Sequence, residues 1–216
     1  MNLYDVLAAG FPADRSKTAF LLSDGSAVSY GALEAGAAQV AGHLVAQGVA
    51  PGDRVVLQAD KSVDGVVVYL GVLKAGAVFL PLNPAYTTAE VDYFVQDAEP
   101  RLFLTDATAF AAAARAAEPL TASVPRDDAD LASLIYTSGT TGRSKGAMLS
   151  HGNLAANAVA LHAIWGFSPD DVLLHALPIF HVHGLFVALH CAFLSGCAMV
   201  WLPKFDDAHV MAGLAK

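Results

Sequence analysis

Charge is scarce in this chain of 216 residues. Asp, Glu, Lys and Arg make up 15% of it, and acids outnumber bases 20 to 12, for a formal net charge of −8. A surface of that sign repels nucleic-acid phosphates, and no basic cluster offsets it, so nucleic acid is excluded as a partner. Cysteine is scarcer still. Cys191 and Cys197 stand alone, too few for a disulfide framework, and read as buried free thiols in a reducing compartment. The start, MNLYDVLAAGFPAD, lacks the basic residues and long apolar run of a secretory signal. A cytoplasmic location is the expectation. A hydrophobic content of 55% excludes disorder and suffices for a sizeable core.

One stretch lacks charge altogether. From His175 to Pro203 there is no Asp, Glu, Lys or Arg, and hydropathy alone would flag a membrane span. The run nevertheless holds His175, His181, His183 and His190, with glycines at 184 and 196. Polar groups at that density are expensive in lipid. A buried helix followed by a central strand accounts for the run better, and no membrane partner is expected.

Elsewhere strands and helices alternate. Residues 19–30 predict two short strands around Asp24-Gly25, and Ser29 an N-cap for a helix that Gly48 stops. Strands are expected at 54–59, 78–83, 101–105, 131–138, 171–178 and 197–203. Helices are expected at 62–76, from Thr87 with Glu90 as a capping box, over an Ala-rich stretch, from Asn153 to Trp165, from Phe180, and after Asp206. The strands are continuous apolar runs rather than alternating ones. That pattern predicts an α/β fold of layered, mostly parallel sheets with helices on both faces. There is no internal repeat, and the polar, Pro-containing stretch 122–130 is the expected sub-domain seam.

What the chain has in abundance is concentrated at LIYTSGTTGRSKGAMLSH, residues 134–151. An apolar strand gives way to hydroxyls and glycines with one placed cation. Gly139, Gly142 and Gly146 permit unusual backbone geometry and close approach to a ligand. Thr137, Ser138, Thr140, Thr141 and Ser144 offer hydroxyl and amide donors, and Lys145 a compact positive charge suited to phosphate oxygens. At the carboxyl end of a buried strand, such a loop is a cradle for a polyphosphate. It is not a Walker loop: Ser144 stands where that motif wants Gly, and Gly146 where it wants Ser or Thr. The competing reading is a Ser/Gly-rich linker. The strand before it, the apolar segment after it and the single Lys weigh against that.

YTSGTTGRSKG resembles the phosphate-binding signature of the adenylate-forming superfamily, which includes the acyl-CoA synthetases. VSYGALEAGAAQVAGHL, LKAGAVFLPLNPAY and LPIFHVHGL are similar to further blocks of that family, in the same order. Within it the likeness is nearest to the malonyl-CoA synthetases. The resemblance implies an acid–thiol ligase that uses ATP, Mg²⁺ and coenzyme A with a small, malonate-like carboxylic acid, through an acyl-AMP intermediate. It implies that Thr137, Ser138, Gly139, Thr140, Thr141, Gly142 and Lys145 hold the nucleotide phosphates, with Thr141 at the metal. Lys145 and His181 would be the catalytic residues, and His181 and His183 the substrate contacts. A His-x-His pair could instead bind metal, but no Cys or carboxylate accompanies it.

The family is much longer, and its downstream blocks have no counterpart here. Residues 1–216 are therefore expected to be a truncated N-terminal AMP-binding domain, inactive alone, whose open sheet edges invite self-association or a complementing C-terminal polypeptide. Two other classes compete with the ligase. One is the nucleotide-binding half of a split enzyme. The other is a non-catalytic interaction domain with a relic loop.

Overall fold

The computed structural model describes residues 1–137 and 144–214. The expected hairpin is present: β1 (Thr18–Leu22) pairs antiparallel with β2 (Ala27–Ser29). Gly25 turns it with φ of 84°, a value that L side chains avoid. Ser29 caps α2 (Tyr30–Ala46) by accepting from Ala32 N–H, and Ser62 caps α3 (Val63–Lys74) by accepting from Gly65 N–H. The capping box of Thr87 and Glu90 opens α4 (Thr88–Ala98). One helix was not foreseen. α1 (Leu3–Ala8) begins at Asn2, whose side chain accepts from Tyr4 N–H and donates to the carbonyls of Leu73 and Val124.

A five-stranded sheet runs in the order β5, β3, β4, β6, β7. These are β5 (Leu102–Leu104), β3 (Arg54–Leu57), β4 (Val78–Pro81), β6 (Leu131–Thr137) and β7 (Lys145–Ser150). All are parallel except β7, which returns antiparallel to β6. A four-stranded sheet runs β2, β1, β9 (Ala198–Trp201), β8 (Val172–His175), parallel apart from β2. The expected α/β class with mostly parallel strands is found.

Alternate residues of β3 and β4 explain the layering. Val55 and Phe79 join one core with α2, α3 and the four-stranded sheet's Phe20, Met199 and Trp201. Val56 and Leu80 turn to the opposite face and pack under Phe94 and Ala98 of α4, with Tyr136. Strands buried on both faces carry no polar alternation, hence their uniform apolar sequences. α5 (Ala107–Ala114) packs against α2 and α3; α6 (His151–Trp165) packs against α1 and α7 (Leu189–Ser195). α6 begins two residues earlier than the sequence suggests, because Ser150 and Asn153 form a second capping box. A π-helical stretch (His183–Ala188) precedes α7, and α8 (Asp207–Leu214) ends the described chain.

The stretch 122–130 lies against other elements. Val124 N–H donates to the Lys74 carbonyl, and the terminal ammonium of Met1 donates to the Arg126 carbonyl and to Asp128. Both cysteines are free and buried. Among the described residues no helix is long and apolar enough to cross a membrane.

Candidate functional site

The site suggested by sequence rests on the turn between β6 and β7. Antiparallel register sets Thr137 opposite Lys145, Tyr136 opposite Gly146 and Ile135 opposite Ala147. Ser138, Gly139, Thr140, Thr141 and Gly142 lie outside the described residues. Thr137 and Lys145 are thus the described feet of the turn, and both are exposed. They stand at the carboxyl end of β6, which runs parallel to β4 and so shares that end with β3 and β5. Ligands bind at this end in open α/β sheets.

Both feet are held by α4. The Tyr93 hydroxyl donates to the Ser144 carbonyl at 3.0 Å, immediately before Lys145. The Tyr136 hydroxyl, immediately before Thr137, donates to Asp97 Oδ2 at 2.6 Å. Desolvation, with the Asp97 carboxylate second, pushes the Tyr136 hydroxyl well above its usual range, so it stays a donor. Phe94 lies against Tyr136 with ring centroids 4.3 Å apart. A buried bond from Ser133 Oγ to the Phe79 carbonyl, 2.6 Å, fastens β6 to β4. Gly146 corrects the sequence reading. It lies within β7 without positive φ, and a Cβ there would meet only ordinary contacts with Leu134 and Tyr136. The conformational freedom expected of it is not used.

The second expected site element follows β8. His181 and His183 are both exposed, and their rings stack at 5.4 Å and 12°. A helix was expected to carry both, starting from Phe180. Regular structure begins later: His181 lies in a bend of the loop after β8, and His183 opens the π-helical stretch. Among the described residues no group of three or more His, Cys, Asp or Glu could hold a metal ion. Ile179 of the same loop is buried, with its Cδ1 over Gly65 of α3. The structure brings His181 to His183 and Thr137 to Lys145. No hydrogen bond or ion pair among the described residues joins the two pairs.

Sequence reasoning missed Lys61. Just beyond β3, its ammonium donates to His175 Nδ1 (2.9 Å), to the His175 carbonyl (2.7 Å) and to the Leu202 carbonyl (2.7 Å). It also lies 4.0 Å from the ring centroid of Trp201. Burial draws its pKa down to about 7. Lys61 therefore ties the carboxyl end of β3 to the carboxyl ends of β8 and β9, and the two sheets open toward the same side. A lone Lys before a capping Ser carries no signal by which sequence could have found it. Lys61 also lines a cleft of about 650 Å³ with Ser62, Asp64, Gln39, Arg115 and Trp201. None of Thr137, Lys145, His181 or His183 lines that cleft, so it is separate from the expected site.

Comparison with known proteins bears on what these parts are for. Residues 7–216 match a family described as AMP-binding enzyme. MatB from Rhodopseudomonas palustris has been solved without ligand and with ATP bound. The chain is 44% identical to both, with TM-scores of 0.92 and 0.91, over 100% of its own length and 47% and 48% of theirs. Mouse mitochondrial malonate–CoA ligase ACSF3 is 34% identical over 182 residues, 73% of this chain and 31% of that protein. The chain thus spans about half the length of the solved relatives and about a third of the curated one.

Proposed function

The chain belongs to the AMP-binding enzyme family, and from that premise we propose that it supplies the nucleotide-holding part of an ATP-dependent acid–thiol ligase acting on a malonate-like carboxylate. The observation that carries the reading is the β6–β7 turn. Its feet, Thr137 and Lys145, sit at a sheet's carboxyl end, and the chain as a whole is 44% identical to a relative solved with ATP bound.

In the proposed reaction a substrate carboxylate oxygen attacks the α-phosphorus of ATP. The bond to the bridging oxygen breaks, pyrophosphate leaves and an acyl-AMP remains. The coenzyme A sulfur then attacks the acyl carbon and AMP departs. The chain's part in the first step is to hold the triphosphate and meet the charge that develops on its oxygens. Lys145 contributes a point charge, Thr137 a hydroxyl, and Ser138, Gly139, Thr140, Thr141 and Gly142 amide and hydroxyl donors. His181 is assigned to the reacting carboxylate and α-phosphate, and His183 to the acyl group. Mg²⁺, bound chiefly by phosphates with Thr141 as its protein contact, would neutralise phosphate charge. The described residues present no further donor set for it, and no step here is derived through the metal.

Titrating the purified chain with MgATP tests the reading. Saturable binding is expected, weakened at least tenfold by Lys145→Ala; equal affinity of the two proteins would end it. Turnover is a separate matter. Little or no malonate- and CoA-dependent AMP release is expected from residues 1–216 alone, since the relatives are about twice as long. Activity that appears on adding a polypeptide matching the relatives' remaining length would favour the split-enzyme form of the same function. A cytoplasmic setting belongs to this proposal as well.

A further inference from the structure

Lys61 is a half-buried cation with which no carboxylate among the described residues forms an ion pair. Its partners account for it completely. An ammonium has three protons and no lone pair, and three acceptors lie at 2.7 to 2.9 Å. As an ammonium Lys61 donates to His175 Nδ1, and the Gly184 carbonyl, which can only accept, requires the same tautomer from the other side of the ring. The ring proton then resides on Nε2, which lies 2.9 Å from the Gly184 carbonyl and donates to it. His175 is 1% exposed. Burial first, and the Lys61 charge second, bring its pKa down to about 4, so the ring is neutral near pH 7 and keeps this tautomer.

The bond from His175 to Gly184 closes residues 176–183 into a loop at its base. The loop folds back tightly enough that a Cβ on Gly184 would overlap the Pro178 carbonyl. Ile179 and Val182 point into the core, while His181 and His183 face outward. The base of the loop therefore rests on a His175 tautomer that the Lys61 ammonium and the Gly184 carbonyl favour together.

We propose that Lys61, acting through His175, is a positioning residue for the loop that presents His181 and His183. Lys61 anchors the end of β3 to the ends of β8 and β9 and selects the His175 tautomer that clamps Gly184. The value of this for catalysis rests on the function proposed above; the coupling of Lys61 to the loop does not.

Hydrogen exchange of the purified chain without nucleotide tests the coupling. Lys61→Met is expected to speed exchange of backbone amides in 177–184 at least tenfold, leaving those of 54–57 and 78–81 unchanged. Alkylating a Lys61→Cys chain with 2-bromoethylamine rebuilds the ammonium arm and should restore protection. Unchanged exchange in the loop, or an equal rise in 54–57 and 78–81, would overturn the proposal. If neither variant folds, nitrogen-15 spectra of the unaltered chain decide. An Nε2-protonated His175 with Nδ1 accepting supports the assignment, and an Nδ1-protonated ring removes it. Failure of the MgATP titration would sink the proposed function while leaving these outcomes readable.

Discussion

Single atoms decide much at Gly184. Its missing Cβ leaves room for the Pro178 carbonyl, and its own carbonyl receives the His175 proton. Gly184→Ala is expected to destabilise the chain by about 1–3 kcal/mol, the usual range for forcing atoms into a packed site, and a drop in the urea midpoint checks it. Gly146→Ala makes the contrast. With no positive φ and only ordinary contacts around it, that substitution should move the midpoint by less than about 0.5 kcal/mol, as for an ordinary surface change. Sequence could not rank these two glycines. Both sit in motif-like surroundings, and only the position of a distant carbonyl separates them.

Elements were legible where local chemistry sets their ends. The caps at Ser29 and Thr87 could be read directly, because a side-chain oxygen accepting an orphan N–H is a local interaction. The start of α6 was read two residues late: its cap, Ser150, partners Asn153 rather than the Glu or Gln of the usual box. Ser150→Ala should cost about 1 kcal/mol, the typical loss of an N-cap, measurable by chemical unfolding. α1 went unread: Asn2 caps it locally through Tyr4 N–H, but what holds Asn2 in place is its reach to the Leu73 and Val124 carbonyls, contacts that no window of sequence contains. The hold of α4 on both feet of the β6–β7 turn was equally hidden. Tyr93→Phe removes the hydroxyl from the Ser144 carbonyl and should weaken MgATP binding about two- to fivefold while leaving the fold intact.

At the scale of the whole molecule, burial of histidines links stability to pH. His151 and His175 have pKa values brought down to about 4, and His190 to about 3, from 6.5, in each case chiefly by desolvation. The unfolded chain takes up these protons below about pH 6.5, whereas the folded chain resists until about pH 4. Their contribution is therefore complete above pH 6.5 and is lost as pH falls toward 4. Urea midpoints at pH 7.5 and 5 should show the lower stability at pH 5. The free sheet edges act at the same scale. β7 and β8 are outer strands, and Met148 and Val172 on them are 64% and 62% exposed. Purified residues 1–216 should self-associate with rising concentration, and Val172→Lys should shift light-scattering masses toward the monomer.

The sequence by itself determined the layered parallel architecture and the candidate nucleotide loop. Period, caps and the run of hydroxyls, glycines and one Lys are all properties of neighbouring residues, and a long motif constrains its own local chemistry. Tertiary structure alone decided what holds the site in place. Lys61 meets His175 across 114 residues, and the closed loop of His181 depends on that meeting. A lysine and a histidine so far apart share no pattern in the chain. Only the convergence of strand ends from two sheets puts a three-proton donor among three acceptors.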